Sequence, residues 1–157
     1  ALRSGTENDG VLMHMNSEET LIAALRDPSV MVASDSVNLR QRFDHPRSAG
    51  TFCRLLGRYV RDTKALTLPG ALRRITLMPA HRLEAFVPAM KRKGRIQAGA
   101  DADLVFFDPA TIAAKAAYLD AKQYSVGMRY VMVNGVFVVR AGKLVPDVLP
   151  GRPVRSN

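Results

Sequence analysis

The chain has 157 residues, 47% of them apolar, which is enough for one ordinary domain with a sizeable core, and it carries a formal net charge of +9. That charge invites a nucleic-acid reading, because clustered cations release phosphate counterions. The cations are scattered, however. Arg40 and Arg42, Arg54 to Arg61, Arg73 and Arg74, and Arg152 and Arg155 lie apart, and only Met90-Lys91-Arg92-Lys93-Gly94-Arg95 is a run, a pattern more often a solvated loop than a binding patch. No nucleic-acid partner is therefore expected. The single Cys53 excludes an internal disulfide and a Cys-x-x-Cys metal pair, so a reducing cytoplasm is the default. No apolar stretch is long enough to span a bilayer and the first residues show no basic region followed by a hydrophobic one, so no membrane association is expected. The opening residues, Ser4 to Gly10, look like a loop entered midway, as in a piece of a longer protein.

In chain order, Val11-Leu12-Met13-His14-Met15 suits a short buried strand, and Asn16 or Ser17 caps a helix with Glu18 and Glu19 in its first turn, where carboxylates favour the dipole. The helix runs through Leu21, Ile22, Ala24 and Leu25 and stops before Pro28. Val30 to Ala33 then reads as a second buried strand, which makes a βαβ unit with parallel strands and a right-handed crossover. This strand ends at Ser34-Asp35-Ser36. In parallel α/β folds the ligand site lies beyond the carboxyl ends of the strands, so Asp35 is a candidate catalytic acid. From the spacing alone, a capping role for Asp35 weighs about the same.

After a loop rich in turn-formers and cations, Phe52, Leu55, Leu56, Tyr59 and Val60 follow helical spacing, with Arg54, Arg58 and Arg61 outside the stripe. Thr67 caps another helix bearing Leu68, Ala71, Leu72 and Ile75, and Pro79 opens a short turn through Ala80, Arg82 and Leu83 that carries His81 as a surface or packing histidine. Past about residue 88 the pattern changes. Leu104 to Phe107 is a strand closed by Asp108-Pro109, and Tyr130 to Val133 and Val136 to Val139 flank Asn134-Gly135, a hairpin signal because both turn positions take positive φ. Ala141-Gly142-Lys143 is a further turn leading to Leu144-Val145, and the tail from Pro146 reads as extended.

Ser34-Asp35, His45-Pro46-Arg47 with Gly50-Thr51-Phe52 and Leu56-Gly57-Arg58-Tyr59-Val60-Arg61, Met78-Pro79-Ala80-His81, Gly99-Ala100-Asp101-Ala102-Asp103-Leu104-Val105 and Val133-Asn134-Gly135 together carry a resemblance. In that order they resemble the C-terminal portion of the D-aminoacylase (N-acyl-D-amino-acid deacylase) branch of the amidohydrolase superfamily. The resemblance implies an α/β architecture: the C-terminal part of a metal-dependent hydrolase (β/α)₈ TIM barrel plus a small β-sandwich (composite) domain. Residues 1–90 would hold the last barrel strands and helices, and residues 91–157 the C-terminal part of the small β domain and its tail.

The resemblance further implies a zinc-dependent enzyme that hydrolyses the amide of an N-acyl-D-amino acid or a related N-acyl amine. The family's metal-binding His-x-His, Cys and middle-strand histidines have no counterpart here. Widely spaced, His14, His45 and His81 form no such motif, so this chain is expected to supply no metal ligand and to be inactive alone. Asp35 matches the family's acid at the end of the eighth strand, implied to take a proton from the metal-activated water and pass it to the departing amine. Where the family usually has Ser-Asp-Gly, this chain has Ser36, and glycine there would permit unusual dihedrals. Arg47, His45 and Ser36 are the candidate substrate-binding residues. Arg47 or Arg40 could take the substrate carboxylate bidentately, or Arg47 could tie the loop to a neighbouring carboxylate. Expected partners are the small-molecule N-acyl amino acid and the N-terminal remainder of the barrel, another chain or a second copy. The alternative is a non-catalytic fragment or scaffold subunit that needs a partner chain carrying the metal site.

Overall fold

The computed structural model describes residues 15–36 and 45–156. Most of the expected first strand, together with His14, Arg40 and Arg42, lies outside them. Helix α1 (Glu18–Arg26) is capped by Ser17, whose side chain accepts the Thr20 amide, and carries Glu18 and Glu19 in its first turn as the dipole favours. Pro28 lies just past its end and cannot continue it.

The expected strand over Val30 to Ala33 is not formed as a ladder among the described residues. The segment has no regular secondary structure, and its recorded backbone bonds run from the Val30 amide to the Asp27 carbonyl at 3.3 Å and from the Val32 amide to the Arg74 carbonyl at 3.4 Å. The neighbour expected for it in the βαβ unit, Val11 to Met15, lies mostly outside the described residues. Arg74 itself is buried, and its guanidinium donates to the Gly70 carbonyl at 3.2 Å and the Asp27 carbonyl at 2.9 Å, drawing the end of α1 and the helix that bears Arg74 onto the base of this segment.

Helix α2 (Arg47–Arg54) passes without a break into a π-helical segment, Leu55–Asp62, closed by the Thr63 amide on the Arg58 carbonyl at 2.8 Å. The wider turn changes the buried face. Gly50, Cys53, Leu55, Leu56, Gly57 and Tyr59 point inward, whereas Phe52, expected in the stripe, is 42% exposed. Thr67 caps α3 (Leu68–Ile75) by accepting the Gly70 amide. The short turn expected at Pro79 is a helix, α4 (Leu77–Leu83); Pro79 sits in its first turn, where the missing amide costs no intrahelical bond. A single turn of 3₁₀ helix follows at Pro88–Arg92.

The second half is an antiparallel sheet of β1 (Leu104–Phe107), β2 (Met128–Val133), β3 (Val136–Arg140) and β4 (Lys143–Leu144), in sequence order. Asn134 (φ 48) and Gly135 (φ 80) make the first hairpin turn, and Ala141 (φ 50) and Gly142 (φ 77) the second. Between β1 and β2 an excursion over residues 108–127 crosses α2 and the π segment. Ile112, 1% exposed, sits at that crossing between two glycines: a Cβ on Gly57 would meet the Ile112 carbonyl oxygen at 2.5 Å, and one on Gly127 the Ile112 Cα at 2.5 Å. The Arg61 guanidinium donates to the same carbonyl at 2.6 Å. These contacts fasten the helices to the sheet, with Leu25, Cys53, Leu55, Leu56, Tyr59, Ala71 and Ile112 as the common core. No helix among the described residues is long and apolar enough to cross a membrane.

Three of the four cations of the run at Lys91 to Arg95 are paired internally. Arg92 pairs with Asp101 at 2.9 Å, Lys93 lies between Asp101 and Asp103, and Arg95 pairs with Glu84 at 2.8 Å. Asp103 also accepts the Asn134 amide at 2.8 Å, so this cluster pins the first hairpin turn to the loop before β1.

Candidate active site

Asp35 stands where this segment ends, and its backbone is left-handed (φ 46), a conformation that aspartate tolerates better than most residues but at a cost. Ser36 is not among the described residues with positive φ. The unusual dihedral recorded here belongs to the acid itself. The Asp35 side chain is 82% exposed, so it is presented outward rather than packed away.

Arg47, the first residue of α2, grips Asp35 twice. Its Nη2 lies 2.9 Å from the carboxylate Oδ2, and its Nε donates to the Asp35 carbonyl oxygen at 2.9 Å. A fork of this kind fixes both the backbone and the side chain of its partner, which a lysine ammonium could not do with the same geometry. The Arg47 amide donates to His45 Nδ1 at 3.1 Å, and the His45 ring meets Tyr118 edge-on, with centroids 5.3 Å apart and planes at 80°. Asp35, Arg47 and His45 are thus brought into one connected group. Ser36 adjoins it in sequence.

A groove of about 430 Å³ runs beside this group, and His45, Arg47, Arg54, Arg58 and Tyr118 are among its walls. Asp35 and Ser36 are not wall residues of the groove. Arg58 is paired with Glu18 at 2.8 Å, and that guanidinium holds the Glu18 carboxyl below its ordinary range. Tyr118 and Ser125, which donates its hydroxyl to the Ala49 carbonyl at 3.1 Å, escaped the sequence reading. They lie in the excursion over 108–127, far along the chain from α2, and no periodicity marks them.

The described residues contain no group of three or more His, Cys, Asp or Glu able to hold a metal ion. Cys53 is buried in the core and burial raises its thiol above the ordinary range, the opposite of what a thiolate ligand needs. His45 already uses Nδ1 as an acceptor, and His81 is exposed on α4. These side chains do not fit a zinc centre.

Residues 14–139 match the family model described as the amidohydrolase family, and the chain belongs to that family. Within it, the chain is similar to the N-acyl-D-amino-acid deacylases. It is 38% identical over 127 residues to the N-acyl-D-glutamate deacylase of Alcaligenes xylosoxydans xylosoxydans, covering 81% of this chain and 24% of that relative. It is 36% identical to the D-aminoacylase of the same organism over 80% of this chain and 25% of that relative. The fold is similar to the crystal structure of D-aminoacylase, with a TM-score of 0.75 and 32% identity over 83% of this chain and 26% of that one. It is likewise similar to the N-acyl-D-glutamate deacylase from Bordetella bronchiseptica complexed with zinc and a phosphonate inhibitor, with a TM-score of 0.70 and 38% identity over 82% of this chain and 27% of that one. The chain spans about a quarter of the length of the curated relatives it matches.

Proposed function

We propose that the chain is the C-terminal segment of a zinc-dependent amidohydrolase that hydrolyses the amide bond of N-acyl-D-amino acids or a related N-acyl amine. Residues 1–90 would complete the last strands and helices of a (β/α)₈ TIM barrel, and residues 91–157 would form the C-terminal part of a small β domain. One observation carries this reading. An exposed aspartate in a left-handed turn is held at both its carbonyl and its carboxylate by one guanidinium. Backbone strain of this kind persists only when its surroundings over-determine it, and such positions cluster at active sites.

In the proposed reaction Asp35 accepts a proton from the water that attacks the acyl carbonyl and returns it to the nitrogen as the C–N bond breaks, releasing a carboxylic acid and an amine. One carboxylate serves both steps because its basicity is needed first and its acquired proton second. Arg47 aims it. His45, on the groove wall, and Ser36, next to the acid, are the candidates for the substrate side. Zinc, present in the Bordetella relative, would be held by residues other than those described. Deacylase assays on the full-length gene product, with metal analysis, test this reading; a folded full-length protein without bound zinc and without deacylase activity sinks it.

A second reading has its own support. A donor set for metal is absent among the described residues, and Phe86, Ile96, Leu119 and Leu149 are 69%, 91%, 98% and 94% exposed. A partner chain would supply the missing donors and cover these side chains. Native mass spectrometry of the protein from its source separates the two: one long polypeptide supports the first reading, and a complex of separately encoded chains supports the second.

A further inference from the structure

We propose that His45 is a positioning residue for Asp35, acting through the backbone of Arg47, and that Tyr118 sets its ring. This rests on the reading of Asp35 as the proton carrier and names how that carboxylate is aimed. With proline at the N-cap, the start of α2 has three first-turn amides, those of Arg47, Ser48 and Ala49, and Pro46 offers no side-chain cap. His45 takes two of them: its Nδ1 accepts the Arg47 amide at 3.1 Å, and its carbonyl accepts the Ser48 amide at 3.0 Å. The backbone from which the Arg47 side chain springs is therefore fixed by an imidazole nitrogen.

That side chain then fixes Asp35 at two points, each at 2.9 Å. At the other end, the edge-on Tyr118 contact sets the His45 ring plane. The excursion bearing Tyr118 is anchored to α2 by Ser125 on the Ala49 carbonyl and is closed on itself by the Ala113–Val126 backbone pair. A rigid path of packed and hydrogen-bonded groups runs from the excursion through His45 and Arg47 to the carboxylate. It also fixes a tautomer. A neutral imidazole that accepts at Nδ1 carries its proton on Nε2.

Two measurements on the full-length protein test this. The first needs no activity: imidazole ¹⁵N NMR should show His45 Nδ1 unprotonated and Nε2 protonated at neutral pH, and an Nδ1–H tautomer overturns the inference. The second is kinetic, with an N-acyl-D-glutamate as probe. H45A should lower kcat about 10- to 100-fold with KM nearly unmoved, because a misaimed carboxylate costs rate rather than ground-state binding. H45N should recover most of that loss, since its amide oxygen can take the place of Nδ1. A rise in KM at constant kcat, or an H45N variant as poor as H45A, overturns the positioning role. If the wild-type protein hydrolyses no N-acyl-D-amino acid, the functional reading fails, and the tautomer measurement alone decides the His45 inference.

Discussion

The two halves of the molecule hold the chain in opposite ways. In the sheet, each of the later strands pairs with its neighbour in sequence through a two-residue turn, and the Lys93, Asp101 and Asp103 cluster locks the first turn in place. The segment that delivers Asp35 has no such ladder among the described residues; the Val32 amide on Arg74 and the Arg47 fork secure it. The difference teaches that the sheet carries its own stability, whereas the candidate catalytic acid depends on side chains that reach it from elsewhere. Damage to the sheet should therefore lower stability, and damage to the Asp35 anchors should lower rate.

The largest break expected in this comparison is at the joint of the halves. Gly127→Ala puts a Cβ 2.5 Å from the Ile112 backbone at a residue with φ +85, so both a clash and a strained dihedral result. A loss of about 3 to 5 kcal/mol is expected, read as a fall in denaturation midpoint; a midpoint within experimental error of the parent would show that the crossing yields freely. Next comes Arg47→Lys, which keeps the charge but cannot grip the Asp35 carbonyl and carboxylate together. We expect kcat of the full-length enzyme to fall roughly 10- to 100-fold with little change in melting temperature, and an equal loss of stability would place Arg47 in the structural framework instead.

Smaller effects belong to the sheet. Arg92 and then Lys93 lower the Asp101 carboxyl; burial works to raise Asp103, but the Asn134 amide and Lys93 outweigh it and lower it too. Carboxyls depressed by folding contribute stability above their ordinary pKa of 3.8 and lose it as pH falls through the lower folded values. Burial opposes the charge on Lys93, yet Asp103 and Asp101 raise it above 10.5, so its contribution is lost only in strong alkali. Lys93→Met should lower the melting temperature by about 5 °C at neutral pH and flatten its fall below pH 4; an unchanged acid limb would contradict the cluster's role. The smallest effect is at the second hairpin, where Ala141 holds φ 50 at a position that Asn fills in the first. Ala141→Asn should stabilise by roughly 0.5 to 1 kcal/mol, and destabilisation would deny that the two turns are equivalent.

What could be read in the sequence follows the same division. The Ser17 and Thr67 caps and the two hairpin turns at Asn134-Gly135 and Ala141-Gly142 depend on neighbours a few residues away, so their signals are local. The π-helical segment is not local. It forms where Gly57 lets the Ile112 backbone approach, and so Phe52, in phase for an α-helix, is turned outward. The ladder expected for Val30 to Ala33 has its expected partner, Val11 to Met15, mostly outside the described residues. Of the candidate site, Asp35, Arg47 and His45 were named from one short motif region, and Arg47 bonds both of the others. Their supports, Tyr118, Ser125 and Arg74, were not, because each arrives from a distant stretch with no pattern of its own.

The central claim, that Asp35 carries the proton in amide hydrolysis, is met most directly by kcat/KM of Asp35→Asn in the full-length enzyme, measured on an N-acyl-D-amino acid beside its melting temperature and zinc content. The account predicts a fall of about 10²- to 10⁴-fold in a protein that still folds. Activity within a few-fold of the parent, in a folded protein of unchanged zinc content, would contradict it.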